Sequence, residues 1–91
     1  MTDRYRRHHD LRLAALEDEG VILHLGSRSY FTVSESGVLI FEALATPHSV
    51  EELVAVLQAR YEVNAEQAEA SVRDFLERCR AADLLEIEAG A

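Results

Sequence analysis

The stretch that most constrains this chain is Ser29–Leu44, SYFTVSESGVLIFEAL, because its pattern changes from strand-like to helix-like with almost no spacer. Tyr30, Phe31, Thr32 and Val33 are aromatic or β-branched, the types that fit a pleated, half-buried strand. Beyond Ser34-Glu35-Ser36-Gly37 the chain is apolar to Leu44, and Gly37, Ile40, Phe41 and Leu44 recur at helical spacing. Ser34 can accept a hydrogen bond from an otherwise free amide at a helix start. A strand feeding directly into a helix divides the chain, with short strands before it and helices after it.

Upstream, Leu11–Leu16 is short and is stopped by Glu17-Asp18-Glu19-Gly20, so it is read as a strand rather than a helix. Val21–Leu25 is a second strand and Ser29–Val33 the third. A two-residue turn at Gly26-Ser27 suits a tight hairpin and puts Leu23 opposite Tyr30. A three-residue loop, Gly26–Arg28, instead places Leu23 and Leu25 on the face of Phe31 and Val33. A slip of one residue flips every side chain. The demand for a core favours the second arrangement, with Phe31 and Val33 facing inward.

Downstream, the first helix is expected over about residues 35–45 and is broken by Thr46-Pro47-His48. Ser49-Val50-Glu51-Glu52 has the S-x-x-E capping pattern, and Val50, Leu53, Val54, Leu57 and Tyr61 follow as an amphipathic stripe. Asn64 with Gln67 offers a second cap. The third helix then carries Ala68, Val72, Phe75, Leu76 and Cys79 on one stripe, and Leu84–Ile87 reads as a last extended piece. The expected fold is α+β and winged helix-turn-helix-like, a three-stranded antiparallel sheet followed by three helices. It spans residues 10–88, with a flexible basic tail at 1–9 and a short tail at 89–91.

Charge narrows the function. The net charge is −8 and all nine basic residues are arginine; four lie in the first twelve residues beside two acids, leaving five against fifteen in the remainder. Such a body repels phosphate backbones and attracts basic peptides or proteins. The third helix carries Glu66, Glu69, Asp74 and Glu77 against Arg73, Arg78 and Arg80, a poor reader of DNA, since phosphate contacts dominate such binding. No apolar run approaches the roughly 20 residues that span a bilayer, and the arginine-rich start is followed by no signal core. The expectation is a cytoplasmic protein with neither membrane nor nucleic acid as partner.

No catalytic constellation is visible. The four glycines are scattered, so no phosphate-cradling loop forms. Cys79 continues an apolar stripe and reads as a small packed hydrophobe. His8 and His9 are adjacent and cannot share one face of a regular element, and a structural metal site wants four convergent ligands. The expectation is therefore no catalytic residue, no metal and no cofactor.

The ordered set EDEGVILHL, SYFTVSESGVLIFEAL, PHSVEELVAVLQARYEV and ASVRDFLERCRAADLLEI resembles the PqqD-like family over about residues 17–88. Tyr30-Phe31-Thr32-Val33-Ser34, Ser36-Gly37 and Ile40-Phe41 match its strand-to-helix junction. Ser49–Leu53 with Leu57 and Tyr61 match its second helix. Ser71-Val72, Phe75-Leu76 and Leu84-Leu85 match its third. The sequence departs from the family pattern at Ser34 (usually Asn), Phe41 (Trp), Ser71 (Asp) and Asp83 (Gly).

The resemblance implies a winged helix-turn-helix domain that does not read DNA but recognises ribosomally made precursor peptides. The precursor's leader segment adds as a strand to the third strand, beside the third helix. The short free-standing form looks most like the lasso-peptide type, which presents the precursor to a leader peptidase and a macrolactam cyclase. Transferred to this chain, the peptide-binding residues are Ser29, Tyr30, Phe31, Thr32 and Val33, with Glu69, Val72, Arg73, Phe75 and Leu76 on the third helix. An unpaired strand edge agrees physically, since its free N–H and C=O groups accept another strand. The alternative is an acidic winged helix-turn-helix DNA-binding or regulatory domain.

Overall fold

The junction that organises the sequence organises the structure. The computed structural model describes residues 3–89; Met1, Thr2, Gly90 and Ala91, part of the two expected tails, lie outside the described residues. In chain order the elements are β1 (Arg4–Arg7), β2 (Leu11–Ala15), β3 (Glu19–His24), β4 (Ser29–Ser34), α1 (Glu35–Ala43), α2 (Val50–Arg60), α3 (Ala65–Ala81) and β5 (Leu85–Glu88). Strand β4 runs into α1 with no loop, and the Ser34 hydroxyl accepts from the Gly37 amide at 3.3 Å. The caps of α2 and α3 form as their sequences require. In each, the N-cap side chain accepts from the third helical amide, and Glu52 or Gln67 reaches back to the N-cap amide.

Strands β2, β3 and β4 form one antiparallel sheet in that order. Its inner face packs on a core of Ile22, Ile40, Phe41, Leu44, Leu53, Leu57, Val72 and Leu76. Two glycines sit where neighbouring elements approach closely. A Cβ on Gly20 of β3 would lie 2.5 Å from Val38 Cγ2, and one on Gly37 would lie 2.9 Å from Phe75 Cε1.

The hairpin register differs from the expected one. Leu23 pairs with Tyr30 and Ile22 with Phe31, the parity of the tight turn and not that of a three-residue loop. Phe31 and Val33 do face the core, but their cross-strand partners are Ile22 and Gly20. Leu23 and Leu25 are 40% and 51% exposed, whereas Ile22 and His24 are buried. The physical reason is that His24 has a polar partner inside: its Nδ1 accepts from the Ser27 amide at 3.3 Å, so a ring on the core face is not left unsatisfied.

The N-terminal segment is also corrected. Arg4–Arg7 is not a free tail but a strand that pairs with β5, Tyr5 opposite Ile87, and forms a second, two-stranded sheet. It also laces the α1–α2 loop: the Tyr5 amide donates to His48 O at 2.7 Å, and the Arg7 amide donates to Leu44 O at 2.9 Å. Inward positions alternate Tyr5 and Arg7, and the Arg7 guanidinium lies 5.2 Å from the centroid of the Phe41 ring, a cation–π contact.

Helix α3 ends in a Schellman cap: the Leu84 amide donates to Cys79 O at 2.9 Å and the Asp83 amide to Arg80 O at 3.1 Å. Asp83 holds φ at 60° there, at the position where the family pattern has glycine. A side chain in that left-handed region carries a steric cost that glycine avoids. Asp83→Gly should therefore stabilise the domain by about 0.5–1 kcal/mol, read as a melting point several degrees higher. An unchanged or lowered melting point would refute this account.

Candidate functional site

Strand β4 is an edge of the main sheet, and the direction of its free backbone groups follows from two hydrogen bonds at the other edge. The Leu25 amide donates to Asp10 O at 2.9 Å and the Leu16 amide to Glu19 O at 2.7 Å. Odd-numbered residues of β3 thus turn their backbone groups toward β2. Successive residues of an antiparallel strand alternate sides, so His24, Ile22 and Gly20 face β4. Their partners Ser29, Phe31 and Val33 are the residues that complete the ladder. Tyr30 and Thr32 point their N–H and C=O groups at the open edge, while Ser34 caps α1. The side chains of Tyr30 and Thr32 are exposed, Tyr30 at 71%.

Below this edge lies α3. A narrow cleft of about 70 Å³ is walled by Phe31, Thr32 and Val33 on one side and by Phe75, Arg78, Cys79 and Ala82 on the other, with Leu84 closing one end. Toward Ser34 it gives way to a wider hollow of about 380 Å³ formed by Leu57, Tyr61, Val63 and Ala68, with Ser34, Ser36 and Ser71 at the rim. Ser71, Phe75, Arg78 and Ala82 lie three or four residues apart and so share one helix flank. An open strand edge over a largely apolar cleft can take an extended peptide, with the ladder holding its backbone and the cleft its side chains.

The expected site residues divide. Phe31, Thr32, Val33 and Phe75 are together at this cleft, whereas Ser29 and Tyr30 lie further along β4 and do not line it. Val72 is fully buried and Leu76 is 5% exposed; Leu76 borders a different hollow, with Tyr5, Val50, Arg73, Glu77, Arg80 and Ile87. Arg73 is thus on the flank toward β1 and β5, and Glu69, one turn earlier, pairs with it at 2.8 Å. The structure does not bring Glu69 or Arg73 to β4. Ser71, Arg78, Cys79 and Ala82 take that flank instead. Spacing from Phe75 would have grouped them, but nothing local in the sequence says which flank of α3 meets the sheet.

Electrostatics at the cleft are quiet. Burial pushes the Cys79 thiol up to about 12, against a smaller opposing effect of Arg78, so it is not a reactive thiolate at neutral pH. Tyr61, at the wide end, has its phenol raised by burial and then by Glu35, to which it donates at 3.1 Å. Elsewhere, the turn after β1 does what adjacency in a regular element would forbid: the rings of His8 and His9 stack at 4.5 Å, and His8, His9 and Asp10 offer ligand atoms within 4.8 Å of one another. That is three groups where structural metal sites use four.

Comparison with known proteins follows the same lines. The family model described as coenzyme PQQ synthesis protein D (PqqD) matches residues 19–85. Among solved structures the chain is similar to TbiB1 in complex with the TbiA(beta) leader peptide, with 32% identity, 89% of this chain and 94% of that chain covered, and a TM-score of 0.78. It shares its fold with lasso peptide synthetase B1 complexed with the leader peptide, at 21% identity, 90% and 96% coverage and a TM-score of 0.75. No curated protein matches the chain.

Proposed function

Because this chain belongs to the PqqD family of peptide recognition elements, we propose that it binds the leader segment of a ribosomally made precursor peptide by adding it as a strand to β4. It then presents the precursor to modifying enzymes, a leader peptidase and a macrolactam cyclase in the lasso type. The family is one of binding domains without catalysis. The observation that carries the reading is the open edge of β4 laid over the cleft against α3. The complex of TbiB1, similar over nearly its whole length, with a leader peptide supports it. The lasso pathway rests on the resemblance to the lasso-peptide type. No helix is long and apolar enough to cross a membrane among the described residues. The DNA-binding alternative gains nothing here, since α3 presents acids as well as arginines to solvent.

The test is a scan of the leader, N-methylated one position at a time. Only every second leader amide can join the ladder with Tyr30 and Thr32. Each bond lost leaves an edge carbonyl unpaired, at about 1–3 kcal/mol, or roughly 5- to 150-fold in Kd. Affinity should therefore fall with a period of two. A flat scan, or sensitivity at three- and four-residue spacing as for a helical ligand, would remove strand addition.

A further inference from the structure

A second cleft lies at the Glu19–Ser34 end of the sheet, next to the wider hollow of the β4 groove. Leu16, Val38 and Leu39 form its floor, and Glu17, Glu19 and Glu42 stand around it, enclosing about 200 Å³. Leu16 is 56% exposed, held out by the tight β2–β3 turn. Val38 and Leu39 fall off the buried stripe of α1 and are half-covered. At the far wall Glu35 is occupied, 3.6 Å from Arg60 and accepting from Tyr61. Among the described residues, no arginine or histidine nitrogen lies within 4 Å of the carboxylates of Glu17, Glu19 or Glu42. Glu42 also borders a hollow lined by Arg7 and Arg12. The negative field is therefore strongest at the turn, where Asp18 adds to Glu17 and Glu19.

We propose that this cleft docks a basic segment carrying an apolar anchor, supplied by a partner protein. The acid rim attracts cations and steers their approach. The leucine and valine floor is what an aliphatic or aromatic anchor would desolvate. A second copy of this chain does not fit the description, because its arginine-rich stretch is already laddered as β1 against β5. The cleft shares Glu35 and Tyr61 with the hollow at the Ser34 end of the β4 groove, yet β2 and β4 are opposite edges of the sheet. A partner seated here adjoins the bound peptide without covering the strand that holds it. Identifying that partner as an enzyme acting on the peptide rests on the function proposed above; the cleft and its chemistry do not.

The experiment is amide chemical-shift mapping of the full ¹⁵N-labelled chain with the pentapeptide Arg-Leu-Arg-Phe-Arg, capped at both ends, as probe. Shifts are expected at Leu16, Glu17, Glu19, Val38 and Leu39, and not at Tyr30 or Thr32. Loss of two rim charges in Glu17→Gln/Glu19→Gln should weaken the probe about tenfold. Leu16→Ser, on an exposed side chain, should weaken it without unfolding the domain. The capped peptide Arg-Ser-Arg-Ser-Arg should bind more weakly than the probe. Equal binding of the two peptides, shifts confined to other surfaces, or unchanged affinity in both variants would each overturn the proposal. A leader peptide added in the same format should move Tyr30 and Thr32. Its failure to do so would sink strand addition while leaving the cleft result standing.

Discussion

Proline at Phe31 should cripple folding, whereas proline one residue on, at Thr32, should leave the fold intact and remove most peptide binding. Phe31 sits in the ladder opposite Ile22, and its ring packs on the core. Phe31→Pro withdraws the donor that Ile22 O requires, about 1–3 kcal/mol. It also replaces a half-buried aromatic ring, about 2–3 kcal/mol more on the scale of large-to-small core changes. A domain of this length has roughly 5–14 kcal/mol in total, so a melting point lower by about 15 °C or more is expected. Thr32 turns its amide to the open edge and its side chain to solvent, where proline is tolerated. The residue before it is already extended, as proline demands. Thr32→Pro should melt within a few degrees of wild type and bind the leader about 5- to 150-fold more weakly. Tyr30→Pro should resemble Thr32→Pro. If Phe31→Pro folds normally, or if Thr32→Pro binds normally, the assigned polarity of β4 is wrong.

That polarity shows what the sequence can and cannot say. The helix caps were legible because each is a local contract: Ser49 with Glu52 and Asn64 with Gln67 span three residues and need no knowledge of the rest. The stripe Ala68, Val72, Phe75, Leu76 and Cys79 was legible for the same reason, and all five are buried. The β3–β4 register was not. Leu23 and Leu25 look like core and His24 like surface, and only the Ser27 amide and the packing around His24 reverse that. Strand β1 was hidden because its inward residues are Tyr5 and Arg7, and an arginine covering Phe41 does not register in an apolar alternation. The flank of α3 was hidden because it is a tertiary fact. Both flanks carry charged residues, so choosing Glu69 and Arg73 over Ser71 and Arg78 required knowing how α3 crosses β4.

The two buried phenylalanines separate core from groove. Phe41 has no exposure and touches the ring-stacked Arg7 side, away from the β4 edge; Phe75 is 7% exposed and forms part of the cleft wall under Thr32. Phe41→Ala should cost about 3–5 kcal/mol, a large share of the total, yet the molecules that remain folded should bind the leader as wild type does. Phe75→Ala should cost less stability than Phe41→Ala, because the cleft lets water or neighbouring side chains enter the space, and cavity cost depends on how well a site can collapse. Its effect on binding should be the larger, about tenfold or more, since the wall that desolvates the leader's inward side chains is gone. Gly37 gives an independent handle on the same wall. A Cβ there would meet Phe75 Cε1 at 2.9 Å and Val33 Cβ at 3.2 Å, so Gly37→Ala should push the ring toward the cleft and weaken binding without deleting any contact group. Stability from thermal melts and affinity from titration, both measured on the folded fraction, place each variant on the two axes. Should Phe75→Ala and Gly37→Ala keep wild-type affinity while Phe41→Ala loses it, Phe75 would be core alone and the peptide would have to lie elsewhere than between β4 and α3.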